Sequence, residues 1–298
     1  MSATLFKHTE TIWTAETPAK INLFFEVWGK RHDNFHEIVS VAVPIRVFDT
    51  LSFELRDDPQ IQFECFGGKE IPLDDTNLVV RAAQTLRQHF NVRQGASIKL
   101  TKRIPSQAGL GGGSSNAATT LRLASRVWKI DISDTELLTI ASTIGSDCPI
   151  FFYAGPTISI GRGEQIRPLP AMPTLWFVLL KPPEGLSTPQ VYAECMPLHD
   201  KQFRQPEDLL SAWSHGDVSQ MGQHLFNRLE VPAKKLWPRF EEIKSQLLAA
   251  GCLAAQMSGS GTAFFGLCKE EFHAQETFER LTRHSEQGNE YFLVRTCV

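Results

Sequence analysis

Apolar residues recur at every second position in three runs near the start of the chain: Ile21, Leu23, Phe25 and Val27, then Val39, Val41, Val43, Ile45 and Val47, then Leu51, Phe53 and Leu55. A period of two is the repeat of a strand, so the pattern predicts three strands. A polar, turn-like segment over 29–37 separates the first two. The spacing then lengthens. Leu78, Ala82, Leu86 and Phe90 stand four apart and predict a helix over 77–90. Ile98 and Leu100 mark a short strand that runs into Pro105 and the glycine cluster at 109–113. Ala117, Leu121, Ala124 and Trp128 follow at helical spacing, so the glycines stand just ahead of a helix N-terminus. A second helix over 134–144 ends at Gly145 and gives way to the apolar run 150–153. Strand signals return at 157–160 and 175–180. Helical periodicity dominates 188–250, interrupted by Pro197, Pro206 and Pro232. A glycine turn at 258–261 precedes the apolar stretch 263–268, and a helix and a strand over 291–294 close the chain.

This alternation reads as a mixed α/β chain, and 298 residues suggest about two domains. The division is expected near Gly155-Pro156, giving 1–155 and 156–298. With 42% hydrophobic and 21% charged residues, coiled coil, collagen and wholesale disorder are excluded. A net charge of -3 without a basic stripe argues against nucleic acid as a partner. The longest apolar run, Leu175 to Leu180, is far short of the ~18 residues of a spanning helix. The first residues carry no leader pattern, so a cytoplasmic protein with no membrane partner is expected. Six cysteines are scattered without a C-x-x-C pair, which suggests small buried side chains and neither a zinc ribbon nor a disulfide framework.

The strongest chemical signal is Pro105-Ser106-Gln107-Ala108-Gly109-Leu110-Gly111-Gly112-Gly113-Ser114-Ser115-Asn116. Glycines remove side chains where backbone must approach a ligand, and the helix start supplies unpaired amides at the positive end of its dipole. Together they suit a polyphosphate. A flexible loop with a serine cap fits the same residues equally well. No lysine follows the last glycine, which excludes the P-loop, and Ser114 occupies the third glycine position of the dinucleotide fingerprint. Lys20 and Asn22 share one face of the first strand, opposite Ile21 and Leu23, although a solvated strand end fits that spacing too. Asp147, in Gly145-Ser146-Asp147-Cys148-Pro149, sets a carboxylate against apolar sequence and needs either a partner or a function; an Asx turn is the plainer reading. His32 and His36 are four apart in a turn, not a helix, so they are not a metal pair.

Taken together, five separated segments resemble the GHMP-type small-molecule kinases. They are 18–23, 31–36, 105–116, 145–149 and 258–261, and Gly161-x-Gly163-Glu164 fits as well. Within that superfamily, Lys20 with Asn22 and the Phe35-His36 pair resemble the branch that acts on 4-diphosphocytidyl-2-C-methyl-D-erythritol in the non-mevalonate isoprenoid pathway. The resemblance implies a two-domain α/β (α+β) fold with an active-site cleft between domains. It implies ATP as co-substrate with Mg²⁺, a small-molecule acceptor, and a monomer or weak homodimer. Pro105, Ser106, Gln107, Ala108, Gly109, Leu110, Gly111, Gly112, Gly113, Ser114 and Ser115 would cradle the ATP phosphates, with Asn77 and Lys102 near the adenine. Ser115 is also a candidate Mg²⁺ ligand. Asp147 would accept the acceptor's hydroxyl proton while Lys20 holds the hydroxyl and stabilises charge. Asn22, Phe35, His36, Thr188 and Tyr192 would line the acceptor pocket, with Phe35 and Tyr192 stacking on the cytosine. Where the family has Asp-Gly-Tyr-His, this chain has Asp33-Asn34-Phe35-His36. The phenylalanine keeps a stacking face and loses a hydroxyl.

Overall fold

The computed structural model describes residues 6–8, 11–33, 35–68, 71–171, 173–195 and 203–297. Asn34 and Pro197 lie outside them. The chain forms two compact units, neither of them one continuous segment. Unit 1 comprises Met1–Ala19, Val47–Ser106 and Gly111–Ala154, and unit 2 comprises Lys20–Arg46, Gln107–Leu110 and Gly155–Val298.

Two long strands, β2 (Ile12–Lys30) and β3 (His36–Arg56), contribute to both units. The second and third apolar runs are thus one strand and not two. No glycine separates Val47 from Leu51, and the odd-numbered phase continues through Asp49. The expected division of the first strand into an apolar and a solvated face is also corrected. β2 is buried on both faces from Ala19 to Val27, so Lys20, Asn22 and Glu26 lie in the interior.

In unit 1, β1 (Phe6–His8) pairs antiparallel with the start of β2, Phe6 opposite Ala15. The end of β3 pairs antiparallel with β5 (Gly95–Thr101), which takes β4 (Ile61–Phe66) in parallel on its far side. Helices α1 (Leu78–His89), α2 (Gly112–Val127) and α3 (Asp134–Ile144) pack on one another, and α2 also meets a 3-10 turn, Cys148–Phe152. Phe53 and Trp128 meet edge to face at 5.3 Å in the core.

In unit 2, the start of β3 pairs antiparallel with β6 (Thr157–Gly161), which turns into β7 (Gln165–Pro168). A second, antiparallel sheet has the order β10-β11-β8-β12, with β8 Trp176–Lys181, β10 Ala254–Met257, β11 Phe264–Cys268 and β12 Glu290–Arg295. The two-residue β9 (Phe226–Asn227) runs parallel to β2. The helical stretch resolves into α4 (Thr188–Ala193), α5 (Glu207–Ser214), α6 (Val218–Gln223), α7 (Glu230–Leu236) and α8 (Phe240–Ala250), and α9 (Glu271–Arg283) follows β11. Pro206 caps α5 as expected of a breaker, whereas Pro232 sits inside the first turn of α7, where its missing N–H removes no helical bond. Phe240, Ile243 and Leu247 of α8 pack with Val178, Phe264 and Leu281 in the core of this unit.

Candidate active site

The glycine-rich stretch belongs partly to each unit, so its surroundings are described separately in each. In unit 1, α2 begins inside the glycine cluster at Gly112, and Gly111 takes a left-handed φ of 70° as its N-cap. No side-chain hydrogen bond caps this helix. The Ser106 hydroxyl is buried without a hydrogen-bond partner.

Lys102 and Asp49, both buried, form an ion pair at 2.8 Å. Lys102 Nζ also donates to the Ile104 carbonyl. A Cβ on Gly112 would lie 3.2 Å from this ammonium and 3.0 Å from the Ile104 side chain, so any larger residue here would press on the protein's own packing. Thr17 Oγ1 lies 2.7 Å from both Ser115 Oγ and Asn116 Oδ1, and all three residues are buried. Asn77 is the N-cap of α1. Its side chain accepts from Val79 N and donates to the Pro72 carbonyl. Asp147 is half-buried at the head of the 3-10 turn, and its side chain does not cap that turn. Burial pushes the neighbouring Cys148 thiol up to about 12, which keeps it protonated.

In unit 2, Lys20 is only 3% exposed. Its ammonium donates to Asn22 Oδ1 at 2.6 Å and to the Gly109 carbonyl at 3.0 Å. Asn22 Nδ2 in turn donates to Ser40 Oγ at 2.8 Å. The segment 107–110 is laced between β2 and the glycine turn. Lys20 N donates to Leu110 O, Ser258 Oγ to Gly109 O, and the amides of Thr262 and Ala263 to Gln107 O and Ala108 O. A Cβ on Gly109 would stand 1.9 Å from the Ser258 carbonyl oxygen. At Gly109, as at Gly112, the close approach is therefore to the chain itself.

The acceptor candidates fall into four groups within this unit. Asn22 stands with Lys20. The His36 and Tyr192 rings lie 5.0 Å apart at 44°, and burial, with the charge of Lys30, holds the His36 imidazole below its ordinary value. Thr188 opens α4, and its hydroxyl is 2.7 Å from Ser260 Oγ in the glycine turn. Phe35 is 48% exposed, with the Arg162 guanidinium 4.8 Å over its ring. Among the described residues no group of three or more His, Cys, Asp or Glu could hold a metal ion, and no helix is long and apolar enough to cross a membrane.

Family models match both halves of the chain. Residues 77–155 match the GHMP kinases N terminal domain and residues 208–287 the GHMP kinases C terminal domain. The 4-diphosphocytidyl-2-C-methyl-D-erythritol kinase of Shouchella clausii is 35% identical, with 95% of both chains covered, and that of Pelotomaculum thermopropionicum is 38% identical, covering 92% of this chain and 95% of the relative. The chain belongs to the 4-diphosphocytidyl-2-C-methyl-D-erythritol kinases, within the GHMP kinases. A crystal structure of a 4-(cytidine 5'-diphospho)-2C-methyl-D-erythritol kinase superposes with a TM-score of 0.79 at 31% identity, covering 96% of this chain and 99% of that one. A homoserine kinase from Cytophaga hutchinsonii shares the fold, with a TM-score of 0.75 at 18% identity.

As a GHMP kinase the protein is an ATP-dependent phosphotransferase. Several residues that build its site escape the sequence reading. Asp49 stands in phase with the apolar Val47 and Leu51, and a carboxylate inside an apolar stripe is itself a sign of a buried partner. Thr17, Ser40 and Ser258 are small hydroxyl residues whose roles follow only from the register and the loop contacts, and the sequence carries no signal for them.

Proposed function

We propose that this kinase transfers the γ-phosphoryl of ATP to the 2-hydroxyl of 4-diphosphocytidyl-2-C-methyl-D-erythritol, a step of the non-mevalonate route to isoprenoid precursors. The observation that carries the reading is the seat of Lys20. One buried ammonium touches both Asn22 on β2 and the Gly109 carbonyl of the glycine loop. A cation held between acceptor strand and phosphate loop stabilises charge that moves from one to the other during transfer.

In this reading the stretch from Pro105 to Ser115 cradles the phosphates, with the start of α2 receiving their charge. Asn77 and Lys102 flank the adenine through backbone and aliphatic stem, since their polar atoms are committed to the α1 cap and to Asp49. Asp147 accepts the hydroxyl proton, and Lys20 orients the oxygen that attacks. Tyr192 and the free face of Phe35 stack on the cytosine, with His36 reading its polar edge. Asn22 and Thr188 line the sugar-alcohol end. Phosphoryl transfer asks little covalent work of the protein, and positioning plus charge stabilisation suffices.

Mg²⁺ would enter with the nucleotide and supply charge neutralisation at the phosphate oxygens, and the candidate ligand Ser115 has its hydroxyl 2.7 Å from Thr17 Oγ1. The test is ADP release from Mg-ATP by the purified protein with the cytidyl acceptor, mevalonate, homoserine or no acceptor. Turnover only with the cytidyl acceptor is expected. Turnover with another alcohol instead would keep the phosphate site and discard the pocket built on Phe35, His36 and Tyr192.

A further inference from the structure

The Asp49 carboxylate accepts four hydrogen bonds, all from residues that flank the glycine loop. Lys102 Nζ donates at 2.8 Å, the amides of Arg103 and Ile104 at 2.7 Å each, and Asn116 Nδ2 at 3.0 Å. The first three donors lie immediately before Pro105, and the fourth lies in the second turn of α2. One side chain on β3 therefore fastens the entry of the loop to its exit, twelve residues later in the chain. Asn116 extends the clasp to Thr17 on β2, and Lys102 extends it to the Ile104 carbonyl and the packing shell of Gly112.

A buried ion pair is a poor way merely to glue a strand to its neighbour, because apolar residues of the same volume serve as well or better. Its value here is direction. The loop holds four glycines and would sample many backbone states if its ends were loose. Backbone amides bind an anion well only when they already point at it before the anion arrives. We propose that Asp49 is a positioning residue for ATP. It never touches the nucleotide, and it closes the two ends of the loop so that the α2 amides converge on the phosphates. This rests on the assignment of 105–115 to ATP.

The replacement Asp49→Asn keeps an acceptor for the two amides but turns an NH₂ group toward two donors, Lys102 Nζ and Asn116 Nδ2. Adding Asn116→Asp restores a donor–acceptor match between positions 49 and 116 and returns the lost negative charge. The experiment compares the full-length wild type, Asp49→Asn, the double variant and the milder Asn116→Ala, measuring KM for ATP, KM for the acceptor, kcat, melting temperature and ATP affinity by calorimetric titration. In Asp49→Asn, KM for ATP rises about tenfold or more, with the acceptor KM within about twofold and kcat within about threefold. The double variant recovers most of the ATP affinity. If Asp49→Asn does not fold, Asn116→Ala carries the test through a smaller selective rise in the ATP Kd. An unchanged or lower KM for ATP overturns the proposal, and so does a loss shared equally by ATP and acceptor that the double variant does not repair. Failure of the underlying assignment looks different: Gly111→Val would then leave wild-type ATP affinity intact.

Discussion

A lysine in a strand interior needs acceptors for its ammonium, and Lys20 finds two of them in a side-chain amide and a loop carbonyl. Replacement by methionine keeps the volume and removes the charge. Lys20→Met is therefore expected to fold and to lose about 10²–10⁴ in kcat. Asp147 is half-buried, and Asp147→Asn keeps its shape while removing its charge, so the variant should fold and cut kcat by about 10²–10⁴ while ATP still binds. Near-normal turnover would remove it from its role. His36 supplies a pH signature. Burial first, and Lys30 second, hold its folded value below the ordinary 6.5. The unfolded chain takes up the proton first as pH falls, so the stability contribution is complete above pH 6.5 and shrinks below it. The acceptor KM should be flat from pH 8 to 6.5 and rise only in more acid solution, and His36→Ala should lose that acid limb. A limb that survives in His36→Ala would assign the titration elsewhere. Spacing alone fits a solvated strand end at Lys20 and Asn22 and an Asx turn at Asp147, so these three stand out in the sequence only through the resemblance of their segments to the kinase motifs. Asp49 puts polarity where apolar neighbours leave no reason for it, yet its function depends on residues 53 to 67 positions away.

At the scale of elements, the glycines separate into distinct demands. Gly109 is pressed onto the Ser258 carbonyl, whereas a Cβ at Gly113 would touch only Leu78, at an ordinary 3.6 Å. Gly109→Ala should therefore destabilise strongly and impair ATP binding. Gly113→Ala, inside a helix, should stabilise by about 0.5–1 kcal/mol. Thermal melts of the two variants check the contrast, and equal effects would mean that the loop is not laced as described. The helices 77–90 and 134–144 are readable almost to the residue, because Asn77 and Ser133 cap them and the apolar spacing continues without a break. The long strand β3 is not readable as one element, since Asp49 breaks the apolar run without breaking the strand. The 3-10 turn Cys148–Phe152 is too short to show a period, and Pro149 only says that regular structure stops there.

At the scale of the whole molecule, each unit carries its own buried charge. In unit 2, Glu26 is fully buried and grips Arg228 through two bonds, at 2.7 and 2.8 Å, while also accepting from the amides of Val27 and Arg204. Arg228→Met leaves that carboxylate without its cation and should cost about 3–5 kcal/mol. Chemical denaturation reads the loss, and a change below about 1 kcal/mol would show the pair to be replaceable. Mixed α/β character and the kinase lineage can be read from pattern and motif. The grouping into units cannot, because most passages from one to the other fall inside β2, β3 or the glycine loop, where composition does not change. These passages have a consequence for how such a protein can be inherited. A genetic crossover at any single position draws at least one unit from two parents, so no single exchange trades both units intact between genes as cassettes.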